Sequence, residues 1–284
     1  HGVKYPTEVI RASVELAKKY ISDKFLPDSA IDLIDEVGAS FHLDKKRKKV
    51  VELSDIEAVL SRIANIPSRS VTKDEGEVMQ HLEAHLKSKI FGQDAAIEAL
   101  VKAIKRSRAG LGHPTSPIGS FLFAGPTGVG KTEVAKQLAY ELGVHFERYD
   151  MSEYMEKHSI SKMIGSPAGY VGYDESGMLT EAVRHRPYSV ILFDEVEKAH
   201  PAIFDLMLSL LDDGELTDSR GDSVDATNTI IILTSNIGAA KILRGINKKT
   251  GKLDKKVEDE VNAMLRNPDR ENGGKGFKPE FLNR

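Results

Sequence analysis

Residues 125–132 read GPTGVGKT and combine three glycines with a lysine and a threonine at fixed spacing. This is the pattern of a phosphate-binding loop, in which backbone N–H groups close around phosphate oxygens. Lys131 would reach the outer phosphates, and the Thr132 hydroxyl would ligate Mg²⁺. The sequence therefore predicts a site for ATP with Mg²⁺, and a chance glycine-rich turn is the alternative. The loop residues predicted to contact nucleotide are Gly125, Pro126, Thr127, Gly128, Val129, Gly130, Lys131 and Thr132.

Two acids follow an apolar run further along the chain. Residues 190–195 read VILFDE, which is typical of a buried strand that ends in Asp194 and Glu195. Asp194 would hold Mg²⁺ through water, while Glu195 would orient and deprotonate an attacking water as general base. A third apolar run ends in Asn236, whose amide could hydrogen-bond the γ-phosphate or that water. Each of these residues alone could be a solvated strand end, but together they predict ATP hydrolysis.

The elements that must position these residues are indicated by three apolar runs that alternate with amphipathic helices. Continuously apolar strands of this kind predict a parallel sheet covered on both faces, hence an α/β fold. The runs are SFLFAG (120–125), YSVILFDE (188–195) and NTIIILTSN (228–236). We expect this ATPase domain to span 118–284, preceded by a linker and helices over 67–117.

Residues 1–66 have the periodicity of a small helical domain. The first helix shows an apolar face of Ile10, Val14, Ala17 and Ile21, and a second helix is predicted to begin at the Pro27–Asp28 boundary. Ser54 and Glu57 are spaced as a capping box for a third helix.

The composition of the chain argues against a nucleic-acid binder and against a membrane protein. The 284 residues are 40% hydrophobic with a net charge of −3, so the sequence lacks the basic character of a nucleic-acid binder. There is no cysteine, which fits a reducing compartment. Neither a bilayer-spanning apolar run nor a signal-peptide pattern is present, so we expect a cytoplasmic protein without a membrane partner.

Four segments of the chain together resemble the second ATPase module of Clp-type AAA+ protein unfoldases. A fifth segment, near the start of the chain, resembles the small lid domain that ends the first module of the same family. The resemblance implies a fragment that runs from the first lid through most of the second module, incomplete at its C-terminal end. The four segments are residues 125–139 (GPTGVGKTEVAKQLA), 150–175 (DMSEYMEKHSISKMIGSPAGYVGYDE), 191–201 (ILFDEVEKAHP) and 277–284 (FKPEFLNR), and the fifth is 21–40 (ISDKFLPDSAIDLIDEVGAS).

The resemblance implies a homo-hexameric ring that hydrolyses ATP and threads unfolded or tagged polypeptides through an axial pore. The GYVG stretch would line this pore, with Tyr170 and Val171 gripping the polypeptide and the glycines giving the loop freedom to move. DSRGDSVD (218–225) resembles a second, polar pore loop. The stretch that would line the pore consists of Gly169, Tyr170, Val171 and Gly172.

The resemblance also assigns roles around the nucleotide. Ile90 and Phe91 would make the apolar contacts to adenine, and Arg284 would act as an arginine finger in the neighbouring subunit's site.

The family includes members with different partners. The few residues between Ser40 and Val51 carry no coiled coil, which favours the ClpA-like branch that works with adaptors and feeds a Clp-type peptidase for proteolysis. In that branch the resemblance implies docking through an aliphatic-Gly-aliphatic tripeptide. The nearest candidate here, LRGIN (243–247), departs from this pattern because Arg244 stands in the first aliphatic place. A disaggregase chaperone without a protease partner is therefore an alternative within the family. An AAA+ nucleic-acid motor or loader and a non-hydrolysing scaffold are rivals from other classes.

Overall fold

The computed structural model describes residues 1–21, 24–43, 50–64, 75–166, 177–245, 253–266, 277 and 279–282. They fall into two compact units, His1–Val78 with Leu142–Val144, and Met79–Glu141 with His145–Arg284. Among the described helices, none is both long and apolar enough to cross a membrane.

In the part of the first unit that the structure describes, the helices that lie wholly inside it are α1 (Thr7–Tyr20), α2 (Asp28–Leu43) and α3 (Leu53–Ile63). Their shared core is aliphatic, and α2 begins at Asp28 as predicted. The central side chains, all buried, are Ala17, Leu33, Val37, Ile56 and Leu60.

Two details of this unit differ from the sequence prediction. Ile10 and Val14 are 42% and 38% exposed. The buried face of α1 is instead formed by Val9, Ser13, Ala17 and Tyr20, because the Ser13 hydroxyl is satisfied by the Val9 carbonyl and so can be buried. The capping box of α3 consists of Glu52 and Asp55, two residues before the predicted pair.

The second unit is an α/β domain, as predicted. It begins with α4, which starts just before the unit boundary, and short 3₁₀ and π turns join several of its elements. In chain order its elements are α4 (Glu75–Lys89), α5 (Asp94–Arg106), β1 (Gly119–Ala124), α6 (Lys131–Leu142), β2 (His145–Asp150), α7 (Ile160–Ile164), α8 (Met178–His185), β3 (Ser189–Asp194), α9 (Pro201–Asp213), β4 (Glu215–Thr217), β5 (Ser223–Asp225), β6 (Ile230–Ser235), α10 (Ala239–Gly245), α11 (Lys255–Arg266) and α12 (Pro279–Leu282).

Among the described residues, the main sheet of this unit has four parallel strands in the order β1-β6-β3-β2. Every residue of the central strands β3 and β6 is buried, as expected for strands with both faces covered. In a parallel sheet all strands end at the same edge, so the segments after β1, β3 and β6 lie side by side. This edge carries the phosphate-binding loop of residues 125–132 (the P-loop), the acid pair Asp194 and Glu195, and Asn236.

Two strand features were not among the predicted runs. β2 was missed because its sequence HFERYD is rich in polar residues, and only Tyr149 within it is buried. β4 and β5 form a separate antiparallel hairpin with three paired positions, outside the main sheet.

Candidate nucleotide-binding site

The P-loop connects β1 to the start of α6, and its backbone conformation requires glycine. Gly128 and Gly130 have φ angles of +82° and +95°, a region that side chains with a Cβ rarely adopt. A Cβ on Gly128 would meet no atom within 4 Å, so the constraint there is the backbone conformation and not crowding. The Gln93 side chain donates a hydrogen bond to the Val129 carbonyl at 2.9 Å and holds the loop from outside.

Lys131 is the first residue of α6, and its ammonium group turns back into the loop. Its Nζ donates to the carbonyl oxygens of Gly125 and Pro126 at 2.5 and 3.0 Å and to Asn236 Oδ1 at 3.0 Å. Burial lowers the pKa of Lys131, and the nearby negative charges, led by Glu197, oppose this shift. The amine is therefore held in the loop by oxygen acceptors, where phosphate oxygens could take their place.

Asp194 is the last residue of β3, and its carboxylate is surrounded by donors. Its Oδ1 accepts a hydrogen bond from the Thr234 hydroxyl, and its Oδ2 lies 3.4 Å from the Thr132 hydroxyl. Two nitrogens of Arg148, Nε and one terminal nitrogen, lie 3.0 and 2.8 Å from the same Oδ2. The side chain of Asp194 is only 10% exposed, so these partners stabilise a largely desolvated charge.

Glu195 adopts a left-handed backbone conformation with φ +57°, which no other non-glycine residue in the described part of the chain shares. Its N–H donates to Thr234 Oγ1 at 2.9 Å, which helps to hold this conformation. Its Oε1 accepts from Asn236 Nδ2 at 2.8 Å, and its Oε2 pairs with Lys198. Strained backbone of this kind is typical of functional sites.

Asn236 follows β6 and joins the predicted catalytic groups. Its Oδ1 accepts from Lys131 while its Nδ2 donates to Glu195. Its own N–H donates to Glu197 Oε1 at 3.0 Å, which orients the residue. The structure thus brings together five residues that the sequence predicted: Lys131, Thr132, Asp194, Glu195 and Asn236.

These groups surround a cavity of about 470 Å³, a size usual for small-molecule sites. The cavity suits a metal–phosphate ligand, because it combines glycine backbone with Thr132 and Asp194, whose oxygen atoms are the ligand type that Mg²⁺ prefers. Within the described residues no three His, Cys, Asp or Glu side chains are grouped to hold a metal by themselves. The cavity is lined by Thr127, Gly128, Gly130, Lys131, Thr132, Glu133, Arg148, Asp150, Asp194, Glu195, Thr234 and Asn236.

Sequence reasoning missed Arg148 and Thr234 as site residues. Arg148 lies on β2, the strand that was not predicted. Thr234 lies inside a predicted strand, where a threonine is unremarkable because β-branched residues favour strands. The only available signal was that Thr234 stands near the end of a strand whose neighbour ends in acids.

The two predicted adenine contacts lie in different surroundings. Ile90 is 5% exposed and approaches the P-loop, since its Cγ2 is 3.9 Å from where a Cβ of Gly130 would be. Phe91 is 84% exposed and does not line the cavity.

The predicted pore residues Gly169, Tyr170, Val171 and Gly172 and the predicted finger Arg284 lie outside the described residues. The start of DSRGDSVD is a turn in which Asp218 Oδ1 accepts the N–H groups of Arg220 and Asp222, both at 2.9 Å. Asp218 Oδ2 accepts from Arg184 at 3.0 Å, and residues 223–225 form β5.

The fold and this site together define a P-loop nucleotide-binding domain of the AAA class. A family model described as an AAA domain (Cdc48 subfamily) matches residues 116–284, and one described as an AAA lid domain matches residues 1–88. The chain therefore belongs to the AAA family. It is similar to Clp-type proteins within that family, as the motifs predicted.

Three similar proteins support this assignment. A ClpA homolog protein from Fuscovulum blasticum is 53% identical over 94% of this chain and 35% of its own length. The chaperone protein ClpB of Oceanobacillus iheyensis is 42% identical over 100% of this chain and 42% of its own length. The structure of the S. cerevisiae Hsp104:casein complex in its extended conformation has a TM-score of 0.74 and 41% identity, covering 100% of this chain and 48% of that one. The chain thus spans less than half the length of these relatives.

Proposed function

We propose that the chain is the ATP-hydrolysing part of a protein unfoldase or translocase that works as a homo-hexameric ring. The observation that carries this proposal is the meeting of the P-loop, two acids and Asn236 at one edge of the sheet. ATP would be the substrate and Mg²⁺ the cofactor, in a cytoplasmic protein. We also propose the organisation predicted above, with a lid domain at 1–66, a linker with helices at 67–117 and the ATPase domain from 118 onwards.

The cavity residues that the sequence predicted have distinct tasks in this proposal. Lys131 and the loop N–H groups would bind the phosphates, and Thr132 with Asp194 would hold Mg²⁺. When bound, Mg²⁺ neutralises charge on the β- and γ-phosphates. Glu195 would take a proton from the attacking water, and Asn236 would orient that water.

The hydrogen bonds around Glu195 bear directly on this role. Both of its carboxylate oxygens are engaged, one by Asn236 and the other by Lys198. Each of these oxygens has a second lone pair, so the two partners orient the carboxylate and still leave a position that can accept a proton from water. We therefore expect loss of either partner to misorient the base rather than to free it.

We propose that Tyr170 and Val171, between Gly169 and Gly172, contact the translocated polypeptide. Arg284 would reach the neighbouring subunit's site, and Ile90 with Phe91 would contact adenine. The Hsp104 structure with casein supports a protein substrate, since the whole of this chain is similar to a part of Hsp104. Adaptors and a Clp-type peptidase would be further partners, as the similarity to a ClpA homolog suggests.

The alternative within the family is a disaggregase chaperone that hands its substrate to no protease. The 42% identity to ClpB, which is named a chaperone, supports this alternative. The two functions differ in the fate of the substrate. Addition of a Clp-type peptidase would degrade the unfolded protein in the first case and leave it intact in the second.

The proposal is tested by ATP-dependent loss of fluorescence from a stably folded, tagged protein, with ATP turnover followed in parallel. The experiment uses the whole protein that contains this chain and its Tyr170→Ala variant. We expect the variant to hydrolyse ATP but to unfold the substrate much more slowly, because the aromatic grip is lost. A matched control is Tyr140→Ala, which removes a half-exposed tyrosine from α6, away from the cavity lining.

Equal unfolding by the wild type and Tyr170→Ala would refute the gripping role. Absence of ATP turnover in the wild type would refute the enzymatic part of the proposal. Binding to DNA that weakens steeply with salt would instead favour the nucleic-acid motor.

A further inference from the structure

Arg148 is a second basic residue in the cavity besides Lys131, and neither the motif nor the proposed mechanism uses it. It lies on β2, two residues before Asp150, so the side chains of both residues project from the same face of the strand. Its side chain is 50% exposed, whereas that of its partner Asp194 is 10% exposed. A half-exposed guanidinium thus reaches over to a nearly buried carboxylate.

The guanidinium occupies the oxygen of Asp194 that faces Thr132. Both Arg148 nitrogens contact Oδ2, at 3.0 and 2.8 Å, and Thr132 Oγ1 lies 3.4 Å from the same atom. The other oxygen, Oδ1, is taken by the Thr234 hydroxyl. A divalent cation held between Thr132 and Asp194 would therefore meet a positive charge at its own ligand.

From this geometry we propose that Arg148 competes with the metal for Asp194 and so makes the cavity selective for a metal–nucleotide complex over free metal. The inference deepens the proposed function, because it rests on Thr132 and Asp194 as the Mg²⁺ site. Arg148 acts here as a positioning residue: it neutralises Asp194 in the metal-free protein and withdraws when the metal arrives.

The physical reason is the cost of a buried charge. Asp194 is almost desolvated, so without a metal it needs a counter-ion, and Arg148 supplies one. A free cation must displace this counter-ion without gaining any contacts between phosphates and the loop. A cation that arrives with phosphates also gains the contacts that the P-loop and Lys131 make to those phosphates, which offset the displacement.

The first measurement is binding of Mn²⁺ alone to the full chain, followed by electron paramagnetic resonance of the free ion. An opposite charge within about 4–6 Å changes the proton affinity of a carboxylate by tenfold or more. We expect the Mn²⁺ affinity of Arg148→Gln to rise by the same order, roughly tenfold over wild type. Arg148→Lys, which keeps the charge but loses the two-nitrogen contact, should fall between them.

A matched control is Arg186→Gln. Arg186 is exposed to a similar degree and pairs with Glu147, also on β2, at 3.1 Å, but it does not line the cavity. Its replacement should leave the Mn²⁺ affinity unchanged.

A second measurement uses the thermal unfolding midpoint with chelator and with Mg²⁺. Arg148→Gln should lose more thermal stability in chelator than the Arg186 control, and Mg²⁺ should restore more of it than in wild type. Should Arg148→Gln fail to fold, the Mn²⁺ titration of Arg148→Lys decides the question. Unchanged or weaker Mn²⁺ binding in the variants would overturn the inference.

The third arm separates this inference from the proposed function. The ratio of Mn²⁺ affinities with and without a non-hydrolysable ATP analogue should be larger for wild type than for Arg148→Gln. If wild type fails to bind the analogue, the proposed function fails. The Mn²⁺ titrations without nucleotide still decide whether Arg148 competes for Asp194.

Discussion

Thr234→Val probes the hydrogen bonds that hold both acids of the site. Thr234 is 1% exposed, and its hydroxyl serves two partners. It donates to Asp194 Oδ1 and accepts the N–H of Glu195 at 2.9 Å. Valine has nearly the same shape but no hydroxyl, so the substitution removes both bonds and leaves a buried carboxylate oxygen and an N–H without this partner.

The expected loss of stability follows from these two bonds. A hydrogen bond to a charged group contributes about 1.5–3 kcal/mol, and a neutral one about 1 kcal/mol. Thr234→Val should therefore lower the free energy of unfolding by about 2.5–4 kcal/mol. Thr234→Ser keeps the hydroxyl and loses one buried methyl group, which costs about 1 kcal/mol.

Thr229→Val is the matched control for this prediction. Thr229 is also fully buried, just before the same strand β6, but its hydroxyl donates only to the neutral Ala226 carbonyl at 2.7 Å. Its replacement should cost about 1 kcal/mol. The assay is urea unfolding of the wild type and the three variants, monitored by circular dichroism. Equal losses in Thr234→Val and Thr229→Val would refute the reasoning that the acid pair depends on Thr234.

Two further predictions concern charged groups. Lys131→Met should weaken binding of a fluorescent ATP analogue by at least about tenfold, because charge-assisted bonds to phosphate are lost; unchanged affinity would contradict the P-loop assignment. Burial by itself would raise the pKa of Asp218, but the Asp222 N–H, the Arg184 guanidinium and the Arg220 N–H together lower it below 3.8. A lowered folded pKa stabilises the protein above the unfolded pKa, and this contribution is lost as pH falls through the folded value. Below about pH 5 the wild type should therefore lose stability more steeply than Asp218→Asn in urea unfolding, and parallel pH profiles would contradict this.

Much of the ATPase domain could be predicted because its signals are local. The apolar run before Asp194 has the composition of a buried strand, and β3 ends at that residue. Pro201 and Gly214 bracket α9 as the helix start and stop signals predict, and Gly214 has φ +62°. Motif order then places the P-loop, the acids and Asn236 at one edge, because parallel strands end together.

The features that were missed depend on hydrogen bonds that the hydrophobic pattern does not reveal. In α1, the helix period was right but the buried face was not, because a hydrogen-bonded serine took an inner position and two aliphatic residues stayed exposed. Arg148 pairs with a residue 46 positions away, which no local pattern reveals. Hydrophobicity identifies the elements, whereas polar partners across the sheet are visible only in three dimensions.

The strand register explains why the two missed residues are the ones that hold the acids. Phe193 is paired with Leu233, so the next residues along β3 and β6, Asp194 and Thr234, lie side by side. β2 flanks β3 on the other side, and from there Arg148 reaches the opposite oxygen of the same carboxylate. Asp194 is thus held from both neighbouring strands. A one-residue shift of either strand would turn its supporting side chain to the other face of the sheet, so the geometry of Asp194 depends on the register of the sheet and not only on its own motif.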